Sequence, residues 1–207
     1  MGIAALKTRS LAGLLLAVAF ALAQTGQANA CACCTNPGQR YVENTKLDTY
    51  RRSVIDEIRF TKEATLFTDE RDFTDLKGIA SPSAKPYAFS VAKQNDRLVF
   101  SFRDEKRNDG ALTLVVPDAV AVFEVDSRDA EFKDRELGPA LYKEWRLTAP
   151  FAGTGIFKAG NGGYQRITLI LQGRGRGCTE ASHFTHWTIS VHGPLGNYLF
   201  YGELEKQ

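Results

Sequence analysis

From residue 58 onward the chain is dominated by two-residue alternation. Ile58, Phe60, Ala64 and Leu66 fall on one parity, with polar residues between them. Side chains of an extended strand point to alternate faces, so this pattern predicts a strand with one buried face. The clearest case comes next. Tyr87, Phe89 and Val91 alternate with Ala88, Ser90 and Ala92, and Gln94-Asn95-Asp96-Arg97 supplies turn chemistry. Leu98, Phe100 and Phe102 then alternate on the return, which predicts an antiparallel hairpin with a buried aromatic face. Arg107-Asn108-Asp109-Gly110 is a second turn, leading to Leu112, Leu114 and Val116, and Pro117-Asp118 breaks the run before Val120–Val125. Residues Asp126–Gly138 carry charges of both signs and read as a solvated connection.

Trp145 and Leu147 share one strand parity and the run ends near Pro150. Gly153, Gly155, Gly160, Gly162 and Gly163 punctuate the next stretch of chain. A phosphate-cradling loop leads into a helix, whereas these glycines lead to Ile167, Leu169 and Leu171, so they read as turn residues. Trp187, Ile189 and Val191 form a further alternating run. Only Tyr41–Arg59 resembles a helix, with Asp48 or Thr49 as cap and Tyr50, Val54, Ile55 and Ile58 near one face. Asp69–Gly78 reads as a loop or a single helical turn. Short strands joined by Gly, Asn, Asp and Pro predict an all-β protein, an antiparallel β-sandwich or barrel of about eight strands with at most one short helix. Alternation does not choose between sandwich and barrel.

The N-terminus changes the picture. Lys7 and Arg9 precede an apolar run from Leu11 to Ala23, and Ala28-Asn29-Ala30 closes the stretch with a small-x-small pattern. This is the layout of a secretory signal peptide over residues 1–30, leaving residues 31–207 as a single β domain. The apolar run is shorter than the roughly 20 residues that span a bilayer. Cleavage after Ala30 would expose Cys31, but Ala28, polar Asn29 and the distance from Ala23 argue against a lipid anchor there. Export places the domain in the periplasm or outside the cell. Without Lys7 and Arg9 the remaining chain has 24 basic and 24 acidic residues. Such a balance gives no field for steering nucleic acid.

An exported chain with four cysteines, Cys31, Cys33, Cys34 and Cys178, points first to a disulfide framework. A Cys33–Cys34 bond needs a strained ring, which leaves two connectivities. Each joins Cys33 or Cys34 to Cys178 and the other to Cys31. A loop of ~145 residues closed this way stabilises by roughly 4–5 kcal/mol in the chain-entropy model. The alternative is a zinc or copper site using Cys31, Cys33, Cys34, Cys178 and His183. His186 and His192 share a strand face but stand about 20 Å apart, too far for one coordination sphere. His183 joins the thiols only where Ser182–Thr185 is a loop; otherwise it packs beside Trp187. Cys31 and Cys34 form a C-x-x-C pair, but Thr35-Asn36-Pro37-Gly38 is a turn, not the helix start that activates such thiols.

Catalytic patterns are missing from the sequence: no Gly-x-Ser-x-Gly, no His-Glu-x-x-His and no paired carboxylates at a recognisable spacing. Glu144 and Arg146 fall on one strand face as an ion pair, and Arg174-Gly175-Arg176-Gly177 reads as a glycine turn with two solvated arginines. The expectation is an exported, disulfide-stapled β domain acting as a binding or structural module, without a cofactor and with a small ligand or protein as partner. A third reading, a ligand carrier, requires a cavity lined by Phe89, Phe100, Phe102 and Trp145. Secretion from a bacterial host should yield a chain whose first residue is Cys31, read by N-terminal sequencing; retention of residues 1–30 would refute the signal.

Overall fold

The computed structural model describes residues 38, 40–67, 76–80, 82–83, 86–127, 141–175 and 179–206. Among these, eleven strands and one α-helix run in the order β1 (Arg40–Lys46), α1 (Thr49–Glu57), β2 (Glu63–Phe67), β3 (Tyr87–Gln94), β4 (Arg97–Arg103), β5 (Asp109–Val115), β6 (Ala119–Asp126), β7 (Leu141–Pro150), β8 (Ala152–Gly155), β9 (Arg166–Gly175), β10 (Phe184–His192) and β11 (Asn197–Glu203). Two short 3-10 turns, Lys158–Gly160 and Ala181–His183, complete the set. Every ladder is antiparallel. The fold is all-β, with eleven strands rather than about eight.

The strands form one sheet in the order β1-β6-β7-β9-β10-β11-β2-β3-β4-β5-β8. Although β5 lies far from β7 and β9 in that order, it touches both. The sheet therefore folds over on itself without closing, which fits a sandwich-like arrangement rather than a sealed barrel. The core lies between the two halves. Phe89 of β3 stacks on Trp187 of β10 with ring centres 4.5 Å apart, and Phe102 meets Phe200 at 4.4 Å. Phe60 packs edge-on against Trp187 at 5.9 Å, and Tyr87 against Phe200 at 5.2 Å. Rings that bury this much surface dominate core energetics.

Trp187 fits because its cross-strand partner is Gly202. A Cβ at that position would come within 2.7 Å of the indole ring. The indole N–H donates to the Glu203 carbonyl at 3.1 Å, so its polar edge is also satisfied. The aromatic hairpin forms in the expected register: Phe89 faces Phe102, Val91 faces Phe100, and Gln94 faces Arg97 across the two-residue Asn95-Asp96 turn. Asn95 adopts φ 53°, a left-handed conformation that asparagine tolerates better than most residues.

Two local differences explain much of the extra strand count. Residues expected to begin the helix instead form β1, whose Tyr41, Val42 and Thr45 suit a strand. The helix itself starts at Thr49, where the Asp48 carboxylate accepts from the Arg51 N–H at 2.8 Å. Glycines read as turn residues also contribute: Gly153 and Gly155 lie in the short edge strand β8. At its other end α1 is tied to the sheet by Lys93 of β3. That ammonium donates to the carbonyls of Ile55, Asp56 and Ile58 at 2.8, 2.6 and 2.9 Å, where a helix terminus favours a cation.

Two connections are bracketed together by buried Gln165. Its side-chain amide donates to the carbonyls of Gly160 and Gly162 and accepts from the Leu195 N–H at 3.4 Å. Nearby, Tyr198 is buried against Phe157, with ring centres 5.7 Å apart. Its hydroxyl meets no hydrogen-bond partner among the described residues, and burial pushes the phenol well above its usual range. An unpartnered buried hydroxyl is destabilising, so Tyr198→Phe should raise unfolding stability by about 1 kcal/mol. Urea denaturation tests this; a loss of stability would show that the hydroxyl has a partner.

Candidate functional site

Along β6, β7 and β9 the inward face is apolar until its last rows. Val122, Trp145, Leu171 and Trp187 stand side by side across four strands. One row further on, the neighbours are Glu124, Lys143 and Gly173, and beyond them Asp126, Leu141 and Gly175. Two acids and a lysine thus occupy core-parity positions. Lys143 and Asp126 have no exposed surface, and Glu124 is 8 % exposed. Burial of such charges is costly unless they are paired and hydrogen-bonded.

Gly173 and Gly175 make room for the segment that covers this end. A Cβ on Gly173 would overlap the His183 carbonyl, and one on Gly175 would overlap the His183 ring. The Ala181–His183 turn therefore lies directly on the sheet where the two glycines leave it bare. This returning segment brings Thr179 over the charged row. Lys143 Nζ donates to Thr179 Oγ1 at 3.0 Å, Thr179 Oγ1 donates to Glu124 Oε1 at 3.4 Å, and Nζ stands 3.6 Å from the same oxygen. Amine, hydroxyl and carboxylate close a triangle. From α1, the Tyr50 hydroxyl holds the segment by donating to the Thr179 carbonyl at 3.0 Å.

His183 completes the group. It precedes β10 rather than lying within it, so strand parity does not set its direction; a register shift between Phe184 and His186 separates it further from the Trp187 face. Its Nδ1 accepts from the Glu180 N–H at 3.3 Å, which assigns the proton of the neutral ring to Nε2, 4.0 Å from the Glu180 carboxylate. Burial lowers its pKa, and Lys143 lowers it further, against the opposing pull of Glu180 and Glu124. His186 and His192 are exposed, away from this group.

Cys31, Cys33, Cys34 and Cys178 lie outside the described residues, as does the 1–30 segment. Their flanks are described. The Gly38 N–H donates to the Asp126 carbonyl at 2.8 Å, and Thr179, next in sequence to Cys178, is bonded to Glu124. Among the described residues, no group of three His, Cys, Asp or Glu side chains is arranged to hold a metal. The aromatics of the carrier reading, Phe89, Phe100, Phe102 and Trp145, are all buried, Trp145 against Phe184 at 5.3 Å. On the outer face, Ala88, Ser90, Ser101, Arg103, Asp109 and Thr154 line an open depression of about 480 Å³. Glu144 and Arg146 pair as expected, and Tyr142 donates to the same carboxylate at 3.0 Å. Comparison with family models, curated proteins and solved structures finds no match to this chain.

Sequence reading missed Lys143, Glu124, Asp126 and Thr179. Three of them carried a visible signal, a charge at the parity of Val120, Trp145 or Leu147. The lowered His183 pKa also bears on stability. As pH falls through 6.5, the unfolded chain takes up a proton at this position, whereas the folded chain does so only at lower pH. Stability from His183 is complete above 6.5 and declines below it until the folded ring protonates. His183→Gln should therefore narrow the gap between urea midpoints at about pH 7.5 and about pH 5. An unchanged gap would show that His183 does not drive the loss.

Proposed function

We propose that this chain is an exported, disulfide-stapled β-sandwich-like domain serving as a non-catalytic binding or structural module. The observation that carries the reading is the convergence of two flanks on β6. Gly38 is bonded to Asp126 and Thr179 to Glu124, positions two residues apart on one strand. Cys34 lies four positions before Gly38, a reach of at most about 14 Å for extended chain, and Cys178 is adjacent to Thr179. Covalent geometry thus allows an N-terminal thiol to meet Cys178 above the charged row. A bond there would tie the mature N-terminus to the connection between β9 and β10.

The secretory pattern of residues 1–30 supports export, where such bonds persist. Among the described residues, no helix is long and apolar enough to cross a membrane. Lys143 and Asp126 are closed off from solvent, so neither is presented to a dissolved substrate. Intact mass under non-reducing conditions tests the staple. Two disulfides make the mature chain lighter by four hydrogens, a deficit that reductant abolishes and chelator leaves unchanged. Free thiols with bound zinc or copper would instead support the metal reading, with His183 as the histidine closest in sequence to Cys178.

A further inference from the structure

We propose that Lys143 and Glu124 form an intramolecular amide that covalently joins β6 to β7. The two residues stand directly opposite each other on neighbouring strands. The lysine side chain has no exposed surface and the glutamate side chain is 10 % exposed. Held as ions, each loses much of its hydration on folding, which is costly even for a paired charge. An amide carries no charge and removes that cost. The bond also closes at a site largely withdrawn from water, since Lys143 has no exposed surface and Glu124 little.

Thr179 is the proton relay that the geometry provides. Its hydroxyl accepts from Lys143 Nζ at 3.0 Å and donates to Glu124 Oε1 at 3.4 Å, while Nζ itself is 3.6 Å from Oε1. A proton passes from the ammonium through Thr179 Oγ1 to Oε1, giving a neutral amine beside a neutral acid. The nitrogen lone pair attacks Glu124 Cδ and the Nζ–Cδ bond forms. A second proton leaves Nζ by the same path, the Cδ–Oε1 bond breaks, and Oε1 departs as water. The reaction is a dehydration, so no oxidant, reductant or cofactor takes part. Reacting groups fixed this close gain the rate advantage of an intramolecular encounter.

Intact mass of the folded, purified mature chain, measured after unfolding, reduction and thiol alkylation, decides the matter. The expected result is a chain lighter by one water than the mass of its sequence with four alkylated cysteines, and a tryptic digest containing one branched peptide that joins the Glu124 and Lys143 segments. Reduction abolishes the deficit of a disulfide but not this one, so failure of the staple and failure of the amide are told apart. Lys143→Met should restore the full sequence mass. Thr179→Val should leave the amide sites intact but reduce the fraction of bonded chains at early times after synthesis. A full sequence mass in the unmutated protein, with Lys143 open to an amine reagent once unfolded, would overturn the proposal whether or not any variant folds.

Discussion

The contact between Trp187 and Phe89 is the interaction on which the layers depend. One ring belongs to β10 and the other to β3, and they stack across the space between the two halves of a single folded sheet. The hydrogen bonds of an antiparallel ladder specify which strands are neighbours, not whether a sheet bends back on itself. That bend comes from burying large rings on both inner faces, with Phe60 and Phe102 extending the same contact. Gly202 is part of the arrangement, because an indole of this size needs a cross-strand neighbour without a side chain.

Much of this was legible in the alternation. The pairing of Phe89 with Phe102 comes from equal parity on either side of a two-residue turn. The inward direction of Leu169, Leu171, Ile189 and Val191 comes from the period of a strand alone. Alternation leaves the long-range order open. Nothing local says that β11 pairs with β2, or that β5 returns to touch β7. β1 was obscured because its polar residues allow several periods, and only the Asp48 cap marks where the helix begins.

The charged row was half legible. Lys143 sits between Leu141 and Trp145 on one parity, and Glu124 and Asp126 share theirs with Val120 and Val122. A charge at a core position is a conflict between local pattern and fold, and such conflicts mark places of unusual chemistry. Thr179 carried no such mark, because its place depends on a chain segment crossing two glycines rather than on any period. Gly173 and Gly175 look like loosened strand in the sequence, yet in the fold they are the floor on which His183 rests.

Gln165 links two surface connections. Its one amide, on a buried side chain, serves the Gly160–Gly162 turn with its nitrogen and the Leu195 backbone with its oxygen. Lengthening either connection alone would strand half of that amide without a partner. A change in the length of one connection is therefore felt by the other through position 165.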